Sequence, residues 1–161
     1  MIRDAKIEDA ESICNIYNPY ILNTVITFEE ETIKPEDIAK RMSVVKGLGF
    51  PYLVAEENGE ILGYAYAGKW RERTAYRFVV ESTIYLARTS AGKGLGTTLY
   101  QELIERLKLN GFHAVLGGIT LPNPASVALH EKLGFKKVAH FTEVGYKFNQ
   151  WLDVGFWQLL L

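Results

Sequence analysis

The sequence predicts an α/β fold built on one mixed, mostly antiparallel sheet flanked by helices. Three observations carry this. Runs of β-branched and aromatic residues of strand length recur at Tyr52–Glu57, Ile61–Trp70, Phe78–Leu86 and Ala114–Ile119. Asn58-Gly59 joins the first two, and that dipeptide turns a chain back on itself as an antiparallel hairpin. A glycine cluster, Gly92-Lys93-Gly94-Leu95-Gly96, then opens a helix whose apolar positions include Leu99, Leu103, Ile104 and Leu107.

The remaining elements follow in order. A short strand at Ile2–Lys6 leads into a helix from about Ile7, which Pro19 should break. A loop carrying Thr24, Thr27 and Phe28 comes next. Pro35 suits the first position of a second helix, where Glu36 and Asp37 meet the positive end of the helix dipole. Asn110-Gly111 closes the glycine-opened helix. After Pro122-Asn123-Pro124 comes a short helix with Val127, Leu129 and Leu133, stopped by Gly134. Two late strands, near Lys137–Phe141 and Val154–Leu161, complete the order β-α-α-β-β-β-α-β-α-β-β. No repeat, low-complexity run or linker divides the chain, so residues 1–161 read as one domain.

Composition narrows the function. The chain is 48 % apolar, enough for a core of its own, and its formal net charge is −1. A nucleic-acid partner would require a large basic surface, which this balance does not supply. No run approaches the ~18 to 20 apolar residues of a membrane helix, and the charged N-terminus leads to no signal-like stretch. The single cysteine, Cys14, fits a reducing compartment, and a cytoplasmic location is expected. Cys14 falls on the apolar stripe Ala10, Ile13, Cys14, Tyr17 and reads as core rather than as a nucleophile. His113, His130 and His140 are scattered without the spacing of a zinc site, so no metal is expected.

Glycines between a strand and a helix let backbone N–H groups approach an anion, and the helix N-terminus adds partial positive charge. A Walker A loop is ruled out, because no Gly-x-x-x-x-Gly-Lys-Ser/Thr run occurs. A Rossmann fingerprint is ruled out too: the spacing is Gly-x-Gly-x-Gly, and no repeated βαβ series follows. What remains is a structural Gly-rich turn or the pyrophosphate loop, Gln/Arg-x-x-Gly-x-Gly/Ala, that GNAT acetyltransferases carry. About thirty residues on, Asn123-Pro124-Ala125-Ser126-Val127-Ala128-Leu129-His130-Glu131-Lys132-Leu133-Gly134-Phe135 resembles the second CoA segment of that superfamily. Tyr17-Asn18, Thr24, Thr27-Phe28, Val80-Glu81-Ser82-Thr83-Ile84-Tyr85, Val144-Gly145-Tyr146-Lys147-Phe148 and Trp151-Leu152-Asp153 resemble its phosphinothricin and methionine sulfoximine N-acetyltransferase branch.

That resemblance implies a GNAT domain that moves an acetyl group from acetyl-CoA to the amine of a small amino-acid-like substrate, by direct transfer, in a homodimer. It implies pantetheine contacts along Ile84, Leu86 and Ala87, and a pyrophosphate cradle of Gly92, Lys93, Gly94, Leu95, Gly96, Thr97 and Thr98. Asn123 and Ser126 would lie near the CoA arm. Two positions depart from the family pattern. Ala91 replaces the usual Gln or Arg of the loop, and His130 stands where a tyrosine often acts as general acid. Catalysis, packing and CoA contact all stay open for His130.

Transfer to an amine requires the amine to be neutral, so a base must take its proton. Glu81 is the candidate: it is the only charged residue in Phe78–Leu86, where apolar neighbours would raise its pKa towards the working pH. Strand alternation places Glu81, Thr83 and Tyr85 on one face. Upstream, Trp70-Arg71-Glu72-Arg73-Thr74-Ala75-Tyr76-Arg77 sets three arginines beside two aromatics, a composition suited to gripping a carboxylate or another oxyanion. Arg71, Arg73, Thr74, Tyr76 and Arg77 are therefore expected around the substrate. By resemblance Phe28 lies against its alkyl chain and Glu29 near its amine. An acetyltransferase for another primary amine and a non-catalytic acyl-CoA sensor are the rivals.

Overall fold

The computed structural model describes residues 1–161. The chain runs through β1 (Ile2–Asp4), α1 (Ala10–Asn23), α2 (Pro35–Gly47), β2 (Tyr52–Glu57), β3 (Glu60–Lys69) and β4 (Val79–Leu86). It continues through α3 (Leu95–Leu109), β5 (Ala114–Leu121), α4 (Pro124–Lys132), β6 (Lys136–Lys147) and β7 (Gln150–Leu160). The element order matches the sequence reading. The strands form one seven-stranded sheet in the order β1-β2-β3-β4-β5-β7-β6. Every pairing is antiparallel except β4 with β5, which run parallel.

Two apolar clusters sandwich the sheet. On one face α1 and α2 bring Ile13, Cys14, Ile16, Tyr17, Ile21, Ile38 and Met42 against Tyr52, Val54 and Tyr64. On the other, α3 brings Leu99, Tyr100, Leu103 and Leu107 against Leu53, Ala65, Val80 and Val115. Each fully buried Leu or Ile is worth about 1.5–3 kcal/mol of transfer free energy, so both helix layers are held by area rather than by propensity. No helix is long and apolar enough to cross a membrane. No three His, Cys, Asp or Glu side chains come together to hold a metal ion.

Two expectations change. Helix α1 continues through Pro19 to Asn23 instead of breaking. The proline removes one backbone bond, but buried Ile16, Tyr17 and Ile21 on both sides of it keep the helix packed. The late strands are also longer than their apolar runs. β6 and β7 form a long hairpin around Phe148 and Asn149, both at positive φ (52° and 57°), with a bulge between Phe141 and Gly145. Lys-Phe-Asn-Gln lacks the Asn-Gly signature, so this turn was not legible.

Candidate active site

The parallel strands β4 and β5 pair only over Val79–Glu81 and Ala114–Leu116, then part. Beyond Glu81 the edge of β4 therefore has no strand beside it. Ala87 N–H donates to Leu62 C=O on β3, and strand alternation turns the backbone groups of Ile84 and Leu86 to the open edge. The hydroxyl of Tyr20 donates to Leu86 C=O, which leaves the Leu86 N–H and both groups of Ile84 available to an extended ligand. Ala87 departs from the expected contacts: its N–H serves β3 and its C=O accepts from Ser90.

The opened edge leads to the glycine loop. Gly92 and Gly94 lie in the left-handed region (φ +77° and +80°), a backbone that side chains rarely adopt, and a Cβ on either would meet nothing within 4 Å. Gly94 caps α3 without a side-chain partner, so the amides of Leu95, Gly96 and Thr97 point off the helix end. A Cβ at Gly96 would approach Leu86 Cδ1 to 3.2 Å, so this glycine lets α3 seat against β4. A channel of about 370 Å³ runs from Ala91, Gly92, Gly94, Gly96 and Thr97 past Ile84 and Leu86 to Asn123 and Ser126. Lys93, Leu95 and Thr98 do not line this channel but a neighbouring cavity beside Glu56 and Glu57, which shares Gly94 with it. Asn123 caps α4 through Oδ1, which accepts from Ser126 N–H at 3.2 Å.

At its inner end the channel shares Ile26, Ile84, Tyr85, Asn123 and Ser126 with a cavity of about 290 Å³. Glu81, Thr83, Thr27, Phe28, Gly118, Val154 and Phe156 line that cavity. Glu81 is half-buried, and its pKa is raised by desolvation, the only cause acting on it. Glycines stand beside the carboxyl on both neighbouring strands. Gly68 is its partner on β3 and has open space where a Cβ would be. A Cβ at Gly118 would come within 3.5 Å of Glu81 Oε1 and 3.1 Å of Phe156.

His130 approaches from the other face of β5, where a Cβ on Gly117 would sit 2.5 Å from its Nε2. Its Nδ1 lies 2.7 Å from Ser126 C=O, which can only accept, so Nδ1 carries the hydrogen and Nε2 accepts from the Tyr100 hydroxyl at 2.9 Å. Tyr100 in turn accepts from Ser82, a residue of the cavity. Burial lowers the pKa of His130, which holds it neutral. The proton polarity of this chain runs inwards from Ser82 to His130. His130 itself lines the cavity with Glu81, as expected of a site residue, yet with both ring nitrogens engaged it anchors Tyr100 and Ser82 and offers the cavity no free donor.

The other expected substrate contacts divide. Phe28, Thr83 and Tyr85 line the cavity. Glu29 does not: both its oxygens pair with Arg41, Tyr17 bonds to it as well, and Arg41 holds its pKa below the usual carboxylate range. Arg71, Arg73, Thr74, Tyr76 and Arg77 gather around a second cavity with Leu48, Phe50 and Phe112, which shares no residue with that of Glu81. The link between the two is Trp70, whose ring meets Phe156 edge-on at 5.3 Å. Sequence reasoning missed Gly117, Gly118, Ser82, Tyr100 and Phe156. The adjacent glycines inside a strand were the available signal, since such glycines mark a close approach.

Comparison with known proteins agrees with this geometry. Residues 2–155 match the family model described as "Acetyltransferase (GNAT) domain". The chain is 40 % identical to the phosphinothricin N-acetyltransferase of Streptomyces viridochromogenes, covering 98 % of this chain and 85 % of the relative. It is 39 % identical to the L-methionine sulfoximine/L-methionine sulfone acetyltransferase of Salmonella typhimurium, covering 99 % and 94 %. The crystal structure of a phosphinothricin acetyltransferase from Sinorhizobium meliloti in complex with acetyl-CoA superimposes with a TM-score of 0.97, at 42 % identity, covering 100 % of this chain and 88 % of that one. The divided strands, the glycine cradle and these similarities lead to one conclusion: the chain belongs to the GNAT family and is an acetyl-CoA-dependent acetyltransferase.

Proposed function

We propose that the chain acetylates the α-amino group of a small amino-acid-like acceptor of the phosphinothricin, methionine sulfoximine or methionine sulfone type, with Glu81 as general base. One observation carries this: a desolvated carboxyl stands in a cavity of about 290 Å³ that opens onto the cofactor channel. That volume is at the small end for ligand sites and suits an acceptor of amino-acid size. Acetyl-CoA supplies the activated acetyl group. The cradle amides from Gly94 to Thr97 hold its pyrophosphate, the Ile84 and Leu86 edge aligns its arm, and the free amide nitrogen of Asn123 bonds near the thioester end.

Glu81 takes one proton from the substrate ammonium, which frees the nitrogen lone pair to attack in the ternary complex with no covalent acetyl-enzyme. The second nitrogen proton leaves with the departing thiol. His130 enters as anchor of the Ser82–Tyr100 chain, and a donor role for it would require the protonated form that burial disfavours. The Arg71–Arg77 loop supplies positive field for an anionic acceptor at the Trp70–Phe156 side. The chain works as a cytoplasmic homodimer in this reading. Its buried free thiol at Cys14 suits a reducing compartment. The exposed aromatics Phe141, Tyr146, Phe148 and Trp151 on the edge hairpin offer a self-pairing surface.

Thiol release from acetyl-CoA tests the function, with methionine sulfoximine, methionine sulfone, phosphinothricin, a polyamine and an N-terminal peptide as acceptors. Turnover confined to the first three is expected. Preference for polyamine or peptide would replace the acceptor reading, and sedimentation velocity would report the oligomer.

A further inference from the structure

One lysine is buried without a carboxylate to pair with. Lys147, at the end of β6, is 1 % exposed, and its Nζ makes one hydrogen bond, donating to the backbone C=O of Thr27 at 2.8 Å. Burial lowers its pKa, and the more distant charges of Glu30 and Glu29 oppose that shift. An ammonium group is costly to bury, and an apolar side chain of similar length would fill the space without that cost. What the amine provides here is a fixed point on the segment between α1 and α2.

Gly145, two residues earlier on the same strand, makes the second attachment. A Cβ there would lie 2.3 Å from Phe28 Cζ and 2.4 Å from Cε2, so the Phe28 ring rests on bare β6 backbone. Thr27 and Phe28 are thus held by β6 at two adjacent points, and both line the cavity that contains Glu81. The Thr27 hydroxyl is fastened separately, to Tyr17 at 2.8 Å. We propose that Lys147 is a positioning residue for the acceptor: through the Thr27 carbonyl it fixes Thr27–Phe28 as a wall of the cavity, with Gly145 as the recess for the Phe28 ring. The hairpin β6–β7 thereby sets which acceptor side chains fit. This rests on the cavity being the acceptor site.

The test compares wild type, Lys147→Met and Gly145→Ala. It measures KM and kcat for methionine sulfone and for alanine, acetyl-CoA affinity, and amide hydrogen exchange across residues 24–29. Lys147→Met should raise KM for methionine sulfone about tenfold or more, because the binding-competent wall becomes a minor population. kcat and acetyl-CoA affinity should hold, and exchange across 24–29 should quicken. Gly145→Ala displaces the Phe28 ring with Lys147 intact, and should alter the preference between the two acceptors. A lowered melting temperature with unchanged KM and unchanged exchange would make Lys147 a brace of the fold and overturn the proposal. If Lys147→Met does not fold, Gly145→Ala decides, and an unaltered acceptor preference overturns it. Exchange separates the two layers of inference. Unchanged exchange in Lys147→Met refutes the fastening whatever the acceptor, whereas a wild type inert towards every amine refutes the acceptor site.

Discussion

Glu81→Gln separates a catalytic carboxyl from a structural one, because the two roles predict opposite pairs of results. Gln keeps the volume and the hydrogen-bonding shape but takes up no proton. General-base catalysis is typically worth about 10²- to 10⁴-fold, so kcat near neutral pH should fall within that range. No partner has to be replaced, because desolvation alone acts on this carboxyl and no ion pair would be broken. The stability effect therefore has a defined sign. Burial raises the folded pKa above that of the unfolded chain, so the folded state holds the proton more tightly between those two values. Stability is full below the unfolded pKa and declines as pH rises through the folded one, and Gln removes that decline. Glu81→Gln should thus be far less active yet unfold no earlier than wild type at pH 7 to 8. Wild-type kcat/KM should rise with pH along a limb set above the ordinary carboxyl range, and the mutant should lose that limb. Stopped-time thiol release across pH 5 to 9, beside thermal unfolding of both proteins, measures each arm. Near-normal kcat with the same acidic limb would refute the general-base assignment.

The remaining predictions address the cradle, the imidazole and the arginine loop. Gly94→Val forces a β-branched residue to φ +80°, a strain of about 1–3 kcal/mol, and should sharply weaken acetyl-CoA binding in a folded protein; unchanged affinity by calorimetry removes the cradle assignment. Gly117→Ala places a methyl 2.5 Å from His130 Nε2, so urea unfolding should show a loss of about 1–3 kcal/mol from overpacking. Unchanged stability there would mean that the ring is not lodged against β5. Arg73→Ala or Arg77→Ala should raise the KM of an anionic acceptor by about two- to fivefold at low ionic strength and less in added salt, as a screened field rather than a direct contact requires, while acetyl-CoA affinity stays constant. Unchanged KM in both would make the loop surface charge.

The fold was legible wherever local chemistry decides an element. Asn58-Gly59, Pro35, the glycine loop and Asn123 each fix a turn or a helix end by backbone demands, and the structure places all of them at such ends. Where burial overrules local preference, the sequence misled, as at Pro19. The candidate site was legible at Glu81 because one charge in an apolar strand is conspicuous. It was less so at Glu29 and Arg71–Arg77, because charge type says nothing about partners. Arg41 lies in α2 and Glu29 in the loop before it, and only the tertiary fold brings the two together. Likewise, the Ser82–Tyr100–His130 chain joins three elements with no shared spacing.

The placement of Glu81 and His130 follows from the sheet itself. Alternation sends Glu81, Thr83 and Tyr85 to the α1 and α2 face, and Val80, Ser82 and Ile84 to the α3 and α4 face. An acetyl group lying in the gap between β4 and β5 would therefore meet the Glu81 carboxyl from one side and the Ser82–Tyr100–His130 chain from the other. Large residues at the neighbouring positions would close this arrangement. Gly118 keeps the Glu81 side open, and Gly117 admits the imidazole on the far side. Glycine inside a strand weakens it, and two in succession weaken it more. The sheet carries that cost where β5 has β7 along its whole length, over Ala114–Leu121 against Asp153–Leu160. β7 thus compensates for the missing β4 partner, and the gap can stay open without unravelling the strand that forms its far wall.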